Sequence, residues 1–156
     1  MEAKEEDFIH AFHQHLVNNH LLVKAVLPGM QHEGYGRIIN IISTSVKVPL
    51  KNLGVSNTIR GAVASWAKSI ANEIGDYDIT INNILPGLTT TQRLESLVKH
   101  TAAQQKKEES AVAQEMMNDV PLKRFGRPEE IAAVAAFLAT PAASYVNGTS
   151  IPVDGG

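Results

Sequence analysis

Cysteine is absent from the 156 residues of this sequence, and its absence removes several kinds of chemistry. Disulfide bonds, catalytic thiolates and zinc sites built on cysteine are all excluded. A chain without thiols fits a cytoplasmic location, and the acidic, polar start Met1–Asp7 is unlike a signal or transit peptide. No apolar run reaches the roughly 18 residues that a membrane-spanning helix needs, so we expect no membrane partner.

An excess of either charge is also missing, because 14 basic and 16 acidic side chains leave a net charge of -2. Such a surface has no general attraction for nucleic acid, and a nucleic-acid partner is not expected. The hydrophobic content of 44% and the charged content of 19% are typical of a folded globular chain. The length suits one domain.

Apolar periodicity predicts helices that alternate with short strands. Four of the six residues in 37–42 are isoleucine, which predicts a strand buried on both faces. The predicted elements are a helix over about 5–27 ended by Pro28-Gly29, a strand over 37–43, a helix over 54–74 capped by Gly75, a strand over 79–84, a polar and peripheral helical segment over 91–119, a helix over 128–138 and a strand over 148–153. Strands separated by helices favour right-handed crossovers, so we predict an α/β fold with three parallel strands. A mainly helical bundle is the alternative, and the isoleucine-rich strands argue against it.

Four segments resemble motifs of the short-chain dehydrogenase/reductase family. They are Gly36–Ser43, Ile81–Gly87, Pro121–Ala132 and Ile151–Gly156. Their order and spacing make the resemblance specific, and the sequence is most similar to the 3-oxoacyl-carrier-protein reductase-like branch. The resemblance implies a partial Rossmann-like, doubly wound parallel sheet. It also implies that residues 1–156 form the C-terminal portion of the family's domain, with the segment over about 91–119 as a substrate lid.

The family's glycine-rich cofactor turn, which follows its first strand, has no counterpart here. Gly34 and Gly36 precede a strand, which is typical of a turn rather than of a phosphate cradle. The resemblance implies NAD or NADP as the cofactor, but we do not expect tight binding by this chain alone. It also implies that the strand over 37–43 becomes an exposed edge and that the first two long helices form a homo-oligomer interface.

The family's catalytic Ser, Tyr and Lys correspond to Ser43, Ser56 and Arg60. In the family the Tyr donates a proton to the developing alkoxide, the Lys lowers the pKa of that Tyr, and the Ser holds the oxygen. A phenol has a pKa of about 10, whereas an aliphatic hydroxyl is nearer to water at about 15.7. Ser56 is therefore a poor general acid, and Arg60 does not replace a lysine one for one. Structural roles for Ser43 at a strand end and for Ser56 near a helix start stay open.

Histidines near the start of the chain are further candidates. Spacing from Ser43 places His15 where the family has an Asn that supports a proton relay, and a shift of one turn would place Asn18 or Asn19 there instead. A plain helix-surface role for His15 is the alternative. His10 and His13 have no third ligand nearby, so no metal site is predicted.

The segment after the second strand resembles the family's loop at the nicotinamide end of the cofactor. Its candidate cofactor contacts are Pro86, Gly87, Leu88 and Thr91, to which Arg60 is added. Thr91 alternatively serves as the N-cap of the next helix.

The resemblance implies an NAD(P)-dependent oxidoreductase that transfers hydride between the cofactor and a small carbonyl or hydroxyl substrate. The full-length parent is expected to be an enzyme, and this chain alone is expected to be inactive. The alternative is a catalytically inactive binding or oligomerisation module that retains the family's dimer helices.

Overall fold

A computed structural model describes residues 3–156 of the chain. The helices are α1 (Glu5–Phe12), a π-helical turn (His13–Val17), α2 (Asn18–Glu33), α3 (Gly54–Ile74), α4 (Gln92–Gln105), α5 (Glu109–Asp119) and α6 (Pro128–Leu138). The strands are β1 (Gly36–Ile41), β2 (Ile79–Pro86) and β3 (Ser150–Val153). Short 3-10 turns lie at Thr44–Val46, Gly75–Tyr77 and Pro141–Ala143.

The three strands form one parallel sheet in the order β1-β2-β3, which confirms the predicted α/β architecture. Asn40 of β1 lies opposite Asn83 of β2, and Asn83 lies opposite Ser150 of β3. The central strand β2 is buried over all its residues except Pro86, which is partly buried. The alternative of a mainly helical bundle is therefore wrong.

Helices cover both faces of the sheet and divide the core into two layers. On one face, Ile79 and Ile81 of β2 pack with α3 and with the inner side of α2. On the other face, Ile84 of β2 packs against Leu138 of α6 and partly buried neighbours from β1 and β3. Helices on both sides of a parallel sheet explain why β2 has no solvent-exposed face.

Asn82 and Asn83 are buried in this central strand, at 1% and 2% exposure. The Asn82 amide donates to the Val146 carbonyl at 2.7 Å, and its oxygen accepts from the Thr149 N–H at 3.1 Å. Asn83 accepts from the Asn40 amide and donates to the Ser150 hydroxyl. Because each buried amide has partners, these polar side chains link the three strands instead of weakening the core.

The prediction that Pro28-Gly29 ends the first long helix is wrong. Helix α2 continues to Glu33 and ends at Gly34, whose φ of 61° is the left-handed conformation that suits glycine. A proline inside a helix removes one backbone hydrogen bond. Leu27 and Met30, on either side of Pro28, both pack against the core, and this packing outweighs the lost bond.

Strand β1 is an edge strand, as predicted, but the prediction that it is buried on both faces is wrong. All of its residues except Gly36 are partly or largely exposed, and Ile41 reaches 50% exposure. The reason is the position of β1 at the edge of the sheet: one side of β1 pairs with β2, and no strand of the described residues lies on its other side.

The polar segment over 91–119 is helical, as predicted, and consists of the two helices α4 and α5. Leu94, Val98 and Ala102 of α4 pack against Val112 of α5 in a small core of their own. This pair lies at the periphery, as predicted. Residues 103–110, which include the end of α4, the connection and the start of α5, are all exposed.

Candidate functional site

Several candidate residues lie at one end of the sheet. The carboxyl ends of parallel strands lie along the same edge, so Ser43 after β1 and Pro86 at the end of β2 share it. Because α3 runs back between these two strands, its first turn begins at this edge as well. The Asn57 side chain fixes the preceding loop, since its amide donates to the Leu50 carbonyl at 2.8 Å.

Ser43 opens the short 3-10 turn that follows β1. Its hydroxyl oxygen accepts a hydrogen bond from the Ser45 backbone N–H at 3.1 Å. The Ser43 hydroxyl proton has no assigned acceptor within the described chain, so it remains available to a substrate oxygen. Ser45 was not singled out from the sequence, yet its hydroxyl is buried without a hydrogen-bond partner among residues 3–156.

Ser56, Arg60 and His15 line a single cavity of about 290 Å³ between the first helices and α3. Ser56 and Arg60 lie one helical turn apart on α3, and His15 comes from the π-helical turn. Ser43 does not line this cavity. The structure therefore unites three of the predicted residues and leaves Ser43 outside their cavity.

Burial perturbs both basic side chains of this cavity. Partial burial lowers the pKa of the Arg60 guanidinium. Desolvation, followed by the positive charge of Arg60, lowers the pKa of His15 below 6.5. At neutral pH the cavity therefore holds one cation, Arg60, beside a neutral imidazole.

The loop Pro86–Thr91 is held by hydrogen bonds to the strands and helices around it. The Gly87 N–H donates to the Val153 carbonyl at 3.1 Å, and the Leu88 carbonyl accepts from the Gly126 N–H at 2.9 Å. Thr91 caps α4 by accepting from the Leu94 N–H at 3.4 Å. A Cβ on Gly87 would lie 2.6 Å from that of Asp154, so glycine is required by packing at this point.

Leu88 lines a second cavity, of about 340 Å³, beside the last residues of the chain. Arg124 and Glu130 lie on its wall and form a bidentate ion pair with distances of 2.8 and 2.6 Å. The hydrogen bond from Arg124, with a further bond from the Arg127 backbone, lowers the pKa of Glu130 to about 2. Neither Arg60 nor Ser56 lines this cavity, so these two residues of α3 and Leu88 of the loop line separate cavities.

No sequence pattern predicts the π-helical turn over His13–Val17. Apolar residues keep a spacing of three and four across His13–Val17, as they would in an unbroken α-helix. A π-helical turn accommodates one extra residue and often occurs at functional sites. Residues 52–55, at the start of α3 and just before it, also line the first cavity, and no motif in the sequence pointed to them.

Residues 3–156 contain neither a metal-binding cluster nor a membrane-spanning helix. There, no three side chains of the metal-ligating types cluster closely enough to hold an ion. No helix in that range combines the length and apolar content that crossing a membrane requires.

Comparison with known proteins gives matches along the whole chain. A family model described as enoyl-(acyl carrier protein) reductase matches residues 1–156. An NADPH-dependent reductase of Bacillus subtilis is 32% identical over 151 residues, covering 97% of this chain and 58% of the relative. The 3-oxoacyl-(acyl-carrier-protein) reductase of Pseudomonas aeruginosa is 33% identical over 158 residues, covering 100% of this chain and 59% of the relative.

Solved structures show the same extent of similarity. The crystal structure of an NADPH-dependent reductase involved in bacilysin biosynthesis matches with a TM-score of 0.94 and 32% identity, covering 99% of this chain and 59% of the other. The L-sorbose reductase of Gluconobacter frateurii, complexed with NADPH and L-sorbose, matches with a TM-score of 0.93 and 30% identity, covering 100% of this chain and 60% of the other. The chain thus spans about three fifths of the length of the proteins it matches.

Proposed function

This chain belongs to the short-chain dehydrogenase/reductase family, and we propose that it supplies the substrate-facing part of an NAD(P)-dependent carbonyl or hydroxyl oxidoreductase similar to 3-oxoacyl reductases. The observation that carries this proposal is the convergence of Ser56, Arg60 and His15 on one cavity beside the start of α3. We also propose a cytoplasmic location, in keeping with the absence of cysteine.

Carbonyl reduction forms a C–H bond at the carbonyl carbon and an O–H bond at its oxygen. The proposed role of Ser43 is to donate a hydrogen bond to that oxygen. The proposed role of Arg60 is to place a positive charge beside the bound substrate. Ser56 is a poor proton donor, so a water molecule held by its hydroxyl is the proton source that the proposal favours. We therefore expect slow turnover in the complete enzyme.

The described residues fit one end of a nicotinamide cofactor better than the other. The backbone N–H groups of Leu88 and Thr89 donate to no acceptor within residues 3–156, so they are available to an amide or phosphate oxygen. By contrast, the chain has no glycine-rich turn of the kind that cradles a diphosphate. When bound, a reduced nicotinamide would supply the hydride and leave as its oxidised form. Pro86, Gly87, Leu88 and Thr91 stay proposed contacts of its nicotinamide end.

Cofactor binding by this chain alone is expected to be weak. Isothermal calorimetry with NADH and with NADPH should show no binding in the micromolar range. Tight binding of either nucleotide would refute the assignment of the diphosphate contacts to a part outside this chain.

Activity is tested in a chimera that joins this chain to the N-terminal two fifths of the Pseudomonas aeruginosa relative. The chimera should reduce a 3-oxoacyl thioester slowly. Installing Tyr and Lys with the double substitution S56Y/R60K should raise kcat by about 100-fold or more, which is the usual contribution of a matched general acid. A folded, cofactor-binding chimera whose kcat does not respond would show that these two positions are not catalytic.

A second candidate function, a non-catalytic oligomerisation module, is favoured by the outer surface of the first helices. Six large apolar side chains there are 36% to 66% exposed: Phe8, Ile9, Phe12, Leu21, Leu22 and Val26. So many exposed apolar groups on one pair of helices are typical of a protein contact surface. We propose that a second copy of the chain covers them, whether or not the complete protein is an enzyme.

A further inference from the structure

The cavity beside α3 has a charge composition that points to a ligand. Of its lining residues, Arg60 is the only one that carries a fixed charge, and no carboxylate of the described chain lines it. Within residues 3–156, Arg60 forms no ion pair and no side-chain hydrogen bond. A partly buried cation without a partner is unfavourable, and an anionic group entering the cavity would remove that cost.

The other residues that line the cavity are partly polar and partly apolar. Ser56 contributes a hydroxyl, and His15 contributes an imidazole that keeps one N–H donor when neutral. Ala11, Val55 and Ile59 contribute methyl and methylene groups. The volume of about 290 Å³ is at the small end of the range for small-molecule sites.

We propose that this cavity binds the carboxylate of a small aliphatic acid, with Arg60 as the cationic partner and with His15 and Ser56 as hydrogen-bond partners. The planar guanidinium matches a carboxylate through two parallel hydrogen bonds. The apolar wall then packs against the aliphatic part of the same molecule.

The charge of the site favours a carboxylate over a phosphate. Burial and the nearby guanidinium lower the pKa of His15, so the cavity offers about one positive charge at neutral pH. A carboxylate carries one negative charge and is neutralised by Arg60 alone. A phosphate group carries more, so part of its charge would stay uncompensated in a partly apolar cavity.

For the enzyme, the ligand would be an oxo acid or the corresponding hydroxy acid. This identification rests on the proposed function, because it makes the carboxylate part of the carbonyl or hydroxyl substrate. The binding of the carboxylate itself requires neither a cofactor nor turnover, so the two claims can fail separately.

The test uses the 156-residue chain and three probes: sodium butanoate, uncharged butanamide and inorganic phosphate. Binding is followed by NMR through the Arg60 side-chain Nε–H signal and the His15 ring signals. Butanoate should shift both sets of signals saturably with a millimolar dissociation constant, and butanamide should not. Equal responses to butanoate and butanamide, or tighter binding of phosphate, would overturn the proposal.

Variants distinguish the cavity from a general charge effect. Arg60→Gln should weaken butanoate binding by roughly tenfold or more, as expected for loss of hydrogen bonds from a charged donor, and Arg60→Lys should restore part of it. Arg93→Gln removes an equal charge from an exposed site on α4 and should change nothing. Each variant is checked for an unchanged circular dichroism spectrum, and unaltered affinity in a folded Arg60→Gln variant would refute the site.

Glu2 requires its own control, because it precedes the cavity-lining Ala3 in sequence and lies outside the described residues. Glu2→Gln should leave butanoate affinity the same or raise it. Weaker binding in this variant would contradict a site that selects anions.

If butanoate binds but the chimera reduces neither an oxo acid nor a 3-oxoacyl thioester, the carboxylate site stands and the proposed enzyme function fails. If the chimera is active but butanoate does not bind, the proposed enzyme function stands and the carboxylate site fails. In an active chimera, an oxo acid should have a lower KM than its methyl ester, and Arg60→Gln should remove that difference.

Discussion

Burial and one neighbouring charge both act on the pKa of His15. Its pKa is lowered below 6.5 first by desolvation and second by the charge of Arg60. We expect NMR titration to place the pKa of His15 below 6.5, and to find it higher in Arg60→Gln but still lowered, because the desolvation remains. If the pKa of His15 is the same in Arg60→Gln, then the charge of Arg60 does not act on His15.

The same shift makes stability depend on pH. Below pH 6.5 the unfolded chain protonates His15 before the folded chain does, so the unfolded state binds more protons and this residue lowers the free energy of unfolding as the pH falls. The effect is absent at higher pH, where both states are neutral. Urea unfolding from about pH 7.5 to about pH 5 should therefore show a smaller loss of stability in His15→Gln than in the unaltered chain. An identical loss would contradict the shift.

Two glycines give opposite predictions for the same added methyl group. At Gly87 a Cβ would lie 2.6 and 2.7 Å from the Cβ and Cα of Asp154, so Gly87→Ala must displace the end of the chain and should cost about 1–3 kcal/mol. At Gly61, inside α3, nothing lies within 4 Å, so Gly61→Ala should stabilise the protein by up to about 1 kcal/mol through helix propensity. Chemical denaturation of both variants measures the difference, and a tolerated Gly87→Ala would contradict the close packing.

At the scale of elements, burial rather than residue type decides what a side chain contributes. Ile41 and Ile84 lie opposite each other in neighbouring strands, but Ile41 is 50% exposed and Ile84 is fully buried. Ile84→Ala should therefore cost about 2–5 kcal/mol of unfolding free energy. Ile41→Ala should cost well under half as much, and similar losses in urea titrations would show that β1 is covered in solution.

Most elements could be predicted from local pattern. The helices over 54–74 and 128–138 match the structure at both ends, and Pro128 opens the second as predicted. Gly75 follows the first helix, but it has a right-handed φ of -60°, and the left-handed residue is Asp78 after a 3-10 turn. The end of α2 was missed because tertiary packing across Pro28 overrides the local signal. The low burial of β1 was missed because isoleucine content does not reveal how many neighbours a strand has.

In the candidate site, too, local sequence pattern predicts some features and tertiary packing determines the others. Fixed offsets along the chain predict that Ser56 and Arg60 stand where the family has Tyr and Lys, and this assignment stays a prediction. Their shared cavity with His15 depends on the packing of the first helices against α3, which no local pattern reports. The pairing of Arg124 with Glu130 was missed for a different reason, because an exposed ion pair six residues apart has no sequence signature.

At the scale of the whole molecule, two surfaces are open to association with a second copy. One is the apolar surface of α1 and α2, where Leu21 and Leu22 are 55% and 66% exposed. The other is the free edge of β1, which offers only six residues of backbone. Apolar area buried is the larger driving force, so the helical surface should dominate.

This difference predicts opposite outcomes for two charge substitutions. The double variant Leu21→Glu/Leu22→Glu places two like charges on the helical surface and should convert an assembly into monomers. Ile41→Lys places a charge on the sheet edge and should leave the assembly intact, because that edge contributes little area. Light scattering coupled to gel filtration at high micromolar concentration measures the mass of each species. If the unaltered chain is monomeric, the exposed apolar groups of α1 and α2 have another role. If only Ile41→Lys dissociates an assembly, the edge strand governs association.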